Sequence, residues 1–168
     1  MSSPHPIPFV YRLVLTWIEP LLAFGGAIQI TTHPVAYLTI ANPNVQGHYH
    51  PALHPLFTQI MGGWLMIVFN DLVTLRVFSR DLKVWTFIIA THLISDMVYT
   101  YALYQDLGSA RFFDVRVWDR NDWITVGTTI PPLLVKIAFL LRIGVGPDAK
   151  YYGAAGKPPT ERQDKKVS

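Results

Sequence analysis

The chain of 168 residues contains no cysteine, which excludes disulfides, thiolate metal sites and cysteine nucleophiles. Charge is scarce at 15% of residues, against 51% hydrophobic ones, an apolar bias beyond that of an ordinary water-soluble domain. A glycine-rich phosphate loop, a serine nucleophile elbow, a dinucleotide fingerprint and an internal repeat are all missing. The first apolar run does not read as a signal peptide: it has no basic leader, contains Arg12 and Glu19, and no small-residue cleavage pattern follows it. The net charge of +3 and pI near 9.2 would suit a nucleic-acid partner, but the basic residues sit at the ends of apolar runs and in the tail. They report topology instead, and no nucleic acid is expected.

What the sequence does have is four long apolar runs, at about 9–30, 56–78, 84–104 and 123–143. Each approaches the ~20 residues that cross a bilayer as a helix. Apolar side chains surround each run with single polar interruptions, unlike the one-sided stripe of a soluble bundle. The expectation is an all-α, integral membrane four-helix bundle spanning residues 1–146, followed by a polar, disordered tail over 147–168. Ten of the fourteen Lys and Arg residues fall on one side of these spans: Arg12, Arg76, Arg80, Lys83, Arg142, Lys150, Lys157, Arg162, Lys165 and Lys166. The positive-inside rule then puts both termini in the cytosol. Thr31–Pro55 and Tyr104–Asp122 read as long loops on the far side, serving as lids or, through Phe112, Phe113, Trp118 and Trp123, as interfacial anchors.

Each run carries an ionisable residue near mid-depth when laid on a ~30 Å core at 1.5 Å per residue. Glu19 lies in the first, Asp71 in the second, His92 and Asp96 in the third, and Lys136 in the fourth. A charge at that depth costs at least ~2.5–3.5 kcal/mol against lipid, so these groups are expected to converge inside the bundle. Arg12, Thr16, Glu19, Ala23 and Gly26 share one helical stripe, and Gln59, Gly62, Gly63, Met66 and Asn70 another, with Asp71 rotated from Asn70. His92, Asp96 and Tyr99 share a face of the third helix. Pro131 and Pro132 in the fourth bend it, either widening a polar space or simply packing.

Two carboxylates and an imidazole in a dry pocket are the parts of an acid–base site. Glu19 and Asp96 are the candidate acid and base, oriented by His92. Asn70 or Tyr99 would place water or a substrate oxygen, and Asp71, Trp17, Gln59 and Lys136 would complete the substrate-contacting set. The reactions open to such a site without cofactor are opening of an epoxide, by hydrolysis or cyclisation, and rearrangement of a double bond. The alternative is a non-catalytic sterol- or lipid-binding protein in which the same groups serve as interhelical glue. Expected partners are a lipophilic small molecule and membrane lipid, with homodimerisation left open. His48, His50 and His54 in GHYHPALHP have metal-like spacing but no carboxylate beside them, and Pro51 and Pro55 break the helix that would align them, so no metal is expected.

Several segments carry a resemblance: IPFVYRLVLTWIEPLLAFGGA, SRDLKVW, HLISDMVY, VWDRNDWITVG and AFLLRIGVG. Together they resemble an uncharacterised fungal family of small four-helix integral membrane proteins. More distantly, the layout is similar to the EXPERA group, with emopamil-binding sterol isomerase, and to the integral membrane cyclases and epoxide-opening enzymes of fungal secondary metabolism. That resemblance implies lipophilic polyketide, terpenoid or sterol-like substrates in the endoplasmic reticulum membrane. It also implies a site built from a span-borne histidine and carboxylates, which His92, Asp96 and Glu19 match in type.

Overall fold

Five helices, not four, make up the fold among the described residues. The computed structural model describes residues 5–41 and 49–145; the expected disordered tail and His48 lie outside the described residues. Of the described residues 86% are helical and none is in a strand, so the described fold is all-α. Helix α1 runs Phe9–Thr32, α2 Pro34–Ala41, α3 Pro51–Val77, α4 Leu82–Phe113 and α5 Arg120–Leu140. Helices α1, α3 and α5 are each long and apolar enough to cross a membrane.

Two expectations change. The stretch expected as the first far-side loop folds partly as α2, which starts on Pro34, a residue favoured at a helix start because its missing N–H would be unbonded there anyway. The second far-side loop shrinks to Asp114–Asp119, because α4 continues to Phe113. Gly108 (φ 72°) re-aims the last turn of α4, a left-handed conformation open to glycine. Helix α4 has the length to span but not the apolar composition of the other three, since Lys83, His92, Asp96, Gln105 and Asp106 dilute it.

Helix α1 packs chiefly on α3, and α4 on α5. At one end Ile7, Tyr11, Leu15, Leu75, Trp85, Ile89 and Phe139 form a core in which no residue exceeds 7% exposure. The Tyr11 and Phe139 rings meet edge-on at 5.3 Å, Trp85 Nε1 donates to the Leu75 carbonyl at 3.2 Å, and the Tyr11 hydroxyl donates to the Ile143 carbonyl at 2.6 Å. That last bond ties the start of α1 to the end of α5, so both ends of the bundle's chain lie together. Arg12, Arg76 and Arg142 belong to this same end.

The other end is fastened differently. Asp119 and Asp122 cap α5 reciprocally, each side chain accepting from the other's backbone N–H. Arg111 joins both carboxylates, at 2.7 Å to Asp119 and 2.6 Å to Asp122. Helix α2 docks on the start of α5 through Thr125 Oγ1, which donates to the Ile40 carbonyl at 3.2 Å.

Candidate functional site

Glu19 follows a local irregularity with a readable cause. Pro20 has no N–H to give the Thr16 carbonyl one turn earlier, and its ring crowds that carbonyl. The chain responds by widening Val14–Ile18 into a π-turn immediately before Glu19. Arg76 takes over the orphaned acceptor, donating to the Thr16 carbonyl at 2.7 Å while its guanidinium stacks 4.0 Å above the Trp17 ring. Helix α3 contains a second π-turn, Asn70–Thr74, with Asp71 inside it, and the two π-turns contact each other. Single-turn π-bulges recur at functional sites because they rotate a side chain out of the regular helical order. Here one immediately precedes buried Glu19 and the other contains buried Asp71.

Lys136 of α5 is 1% exposed and bonds two carboxylates from different helices, Glu19 Oε1 of α1 and, at 2.5 Å, Asp96 Oδ2 of α4. Asp71, also 1% exposed, lies with Oδ1 3.4 Å from His92 Nδ1, and the other ring nitrogen of His92 is 3.4 Å from Asn70 Nδ2. A consistent assignment has Nδ1–H donating toward Asp71 and Nε2 accepting from the Asn70 amide. Glu19, Asp71 and His92 approach one another with ligand-type atoms all within 4.8 Å. Three carboxylates against one ammonium leave the cluster at −2 when all four are ionised and the imidazole is neutral. Such an excess is not tolerated in a dry interior without protons or a cation to balance it.

Glu19, Asp96 and Lys136 form the floor of a cavity of about 350 Å³. Its walls come from α1 at Leu22 and Gly26, α3 at Trp64, α4 at Ser95 and Tyr99, and α5 at Thr125, Thr129 and Pro132. Helix α2 closes one side with Tyr37, whose hydroxyl interacts with that of Tyr99 and whose ring meets Trp64 edge-on at 5.8 Å. Gly26 is required by the helix contact here: a Cβ on it would stand 2.8 Å from the Trp64 ring. Pro131 and Pro132 withhold the N–H groups due to the Gly127 and Thr128 carbonyls, beside the wall where Thr128 and Thr129 stand.

The structure thus gathers Glu19, Asp71, His92, Asp96 and Lys136, with Asn70 and Tyr99 beside them. Two candidates fall elsewhere. Trp17 is 55% exposed and belongs to the basic end under Arg76, because two residues along a helix point to nearly opposite sides and Glu19 takes the inward one. Gln59 is exposed on the outer surface of α3, as are Gly62, Gly63 and Met66 of the stripe assigned to it. The inward side of α3 is carried instead by Trp64 and by Asp71 in its π-turn. The expected orienting of Asp96 by His92 is also corrected: although four residues apart on α4, His92 turns to Asp71 and Asn70 of α3 and Asp96 to Lys136 of α5.

Sequence reasoning missed Tyr37 and the pairing of Asp71 with His92. Pro20, inside the first apolar run, was the available signal for the π-turn. Of the loop histidines, His50 accepts from the Ala52 N–H and His54 meets the Tyr49 hydroxyl at 3.2 Å, so each has a local partner.

Residues 5–145 match the family described as Domain of unknown function (DUF7704), which covers most of the chain, and the protein belongs to that family. No curated protein and no solved structure matches it.

Proposed function

We propose that this DUF7704 protein is an integral membrane enzyme that performs acid–base chemistry on a lipophilic molecule held in the Glu19–Asp96–Lys136 cavity. The observation that carries the reading is the convergence of two carboxylates on one buried ammonium at the floor of a cavity walled mainly by apolar and aromatic side chains. Its volume of about 350 Å³ falls within the ~300–1,000 Å³ of small-molecule sites. Asp96 keeps 19% of its side chain exposed to this space and is the proton donor; Glu19, 9% exposed, is its partner. Lys136 fixes both. In epoxide opening, the acid protonates the ring oxygen as a C–O bond breaks. Water or an internal hydroxyl attacks the carbon and gives its proton to the ionised carboxylate. Double-bond rearrangement uses the same pair, one adding a proton and the other removing one. The substrates are polyketide, terpenoid or sterol-like metabolites of the endoplasmic reticulum membrane, as the resemblance to the EXPERA group and membrane cyclases suggests.

Replacing Asp96 by Asn keeps the shape but ends proton delivery, so turnover of epoxidised or polyene substrates by microsomes bearing the variant drops by roughly 10²–10⁴-fold. Unchanged turnover in both Asp96→Asn and Glu19→Gln sinks the acid–base reading. It would leave the non-catalytic lipid-binding alternative, which has its own support: Lys136 holds an oxygen of each carboxylate, as interhelical glue would.

In this reading α4 crosses the bilayer as a fourth span. Its outward Phe87, Ile94, Met97, Val98 and Tyr101 are each at least 60% exposed, a surface suited to lipid. Both termini face the cytosol, supported by the arginines at the end where α1 starts and α5 finishes. A glycosylation acceptor appended to either terminus stays unmodified, and modification of both reverses the orientation.

A further inference from the structure

We infer that Glu19, Asp71 and His92 form a binding site for one divalent transition-metal cation, zinc being the best match. The three residues come from three helices, α1, α3 and α4, and their ligand-type atoms lie within 4.8 Å of one another. Glu19 Oε2 and Asp71 Oδ2 are buried without a hydrogen-bond partner. Buried carboxylate oxygens without partners are costly as they stand, and the two carboxylates that bear them meet one imidazole, so each offers a natural cation ligand. The 3.4 Å between His92 Nδ1 and Asp71 Oδ1 exceeds an ordinary hydrogen bond. It is instead close to the ligand-to-ligand edge of about 3.4 Å that a tetrahedron of ~2.1 Å metal bonds would have.

Charge and the surrounding bonds agree with this. With Asp96 protonated as the acid, Glu19 and Asp71 against Lys136 still leave the interior at −1, and with Asp96 ionised at −2, so the site carries excess negative charge that a cation offsets in either state. Lys136 holds Glu19 Oε1, which leaves Oε2 for the metal, so Glu19 bridges the metal position and the cavity floor. Asn70 stands at the other ring nitrogen of His92, 3.4 Å away, where an amide oxygen would accept the imidazole N–H and fix the ligating tautomer. Thr74 Oγ1, 3.4 Å from the Asn70 side chain, holds that amide in turn. One imidazole with two carboxylates favours zinc, manganese or ferrous iron over magnesium and calcium, which prefer all-oxygen sites. Three protein ligands leave a fourth position for water or a substrate oxygen.

The site stands apart from the acid–base reading and shares only Glu19 with it. Tag-free protein in detergent, stripped with EDTA and titrated with Zn²⁺ against a chromophoric chelator, should bind one equivalent. His92→Gln and Asp71→Asn should each weaken binding at least tenfold, whereas Asp96→Asn should keep it, since Asp96 contributes no ligand. Equal zinc uptake by wild type and His92→Gln would assign the metal to adventitious sites and overturn the inference. Should the variants not fold, Co²⁺ added to the stripped wild type decides. Visible d–d bands abolished by one equivalent of Zn²⁺ support the site, and a spectrum of hexaaqua Co²⁺ alone overturns it.

Discussion

The two ends of this bundle use the same helices in opposite ways. At the basic end Leu15, Trp85, Ile89 and Phe139 pack to 1% exposure or less, and the Trp85 and Tyr11 donors there reach backbone carbonyls. One helical turn past Leu15, the interior of α1 passes to Glu19, and from there to Tyr37 the bundle is hollow, polar on its floor and covered by α2. The contrast separates two tasks. A packed aromatic end fixes where the helices cross, and a hollow end keeps carboxylates that packing alone would not tolerate. Between them lie the apposed π-turns, which convert one regime into the other within a single turn of α1 and α3.

Removing the ammonium attacks the hollow end hardest. Lys136→Met leaves Glu19 and Asp96 buried without their shared cation, and breaking a buried pair in this manner costs about 3–5 kcal/mol. Thermal unfolding in detergent should show the loss, and Lys136→Arg should recover part of it. A Lys136→Met protein as stable as wild type would mean that the carboxylates are neutralised without Lys136, and the contrast between the two ends would collapse.

Phe139→Ala tests the packed end. Aromatic truncation in a close-packed core costs about 3–5 kcal/mol, and in the proposed bilayer setting the lower figure applies because lipid would offer no hydrophobic drive and only packing is lost. The edge-on contact with Tyr11 and the tilted one with Trp85 both vanish. Unfolding should move to lower temperature while turnover of a cavity substrate by the folded fraction stays unchanged. A fall in that turnover would show that the ends are mechanically coupled.

The difference between the ends also explains what the sequence could disclose. Apolar runs at membrane length, and the ionisable residues interrupting them, are read directly from residue order, and the structure does bring Glu19, Asp71, His92, Asp96 and Lys136 together. Partner choice was not legible. A regular 3.6-residue helix puts His92 and Asp96 on one stripe, which suggests that they serve each other, whereas the rotation between them sends one to α3 and the other to α5. The stripe through Gln59 and Gly63 failed for a different reason: its small residues suggested a helix contact, whereas the inward face of α3 is the regular stripe through Phe57, Trp64 and Asp71, two turns apart each. Helix α2 was missed because eight residues carry too short a pattern, and it is held by tertiary contacts, Tyr37 against Trp64 and Thr125 of α5 against the Ile40 carbonyl.

The smallest expected effect lies at the rim of the hollow end, where α2 rests on the first turn of α5. Asp119 caps that turn. Its carboxyl titrates below the ordinary range, chiefly because the Asp122 backbone N–H donates to it, helped by the Asn121 N–H and the Arg111 guanidinium. A carboxylate with a depressed folded value contributes its full stability above the unfolded value of about 3.9 and loses it as pH falls through the lower folded one. Asp119→Ala should therefore cost about 1 kcal/mol near pH 7, typical of a lost cap, with little extra from Arg111 because the Asp119 side chain is 51% exposed. Asp119→Asn, which still accepts the backbone hydrogen bonds, should cost less. The gap between wild type and Asp119→Ala should narrow as pH is taken below the ordinary aspartate value. Hydrogen exchange at the Asn121 and Asp122 amides reads it locally, and at Tyr37, on α2, it reports whether the cover of the cavity loosens along with the cap. A gap that persists undiminished in acid would mean that Asp119 acts by shape rather than charge, and the cover would then be held by the Thr125 and Asn121 contacts to α2 and by Tyr37 against Trp64, independently of the Asp119 charge.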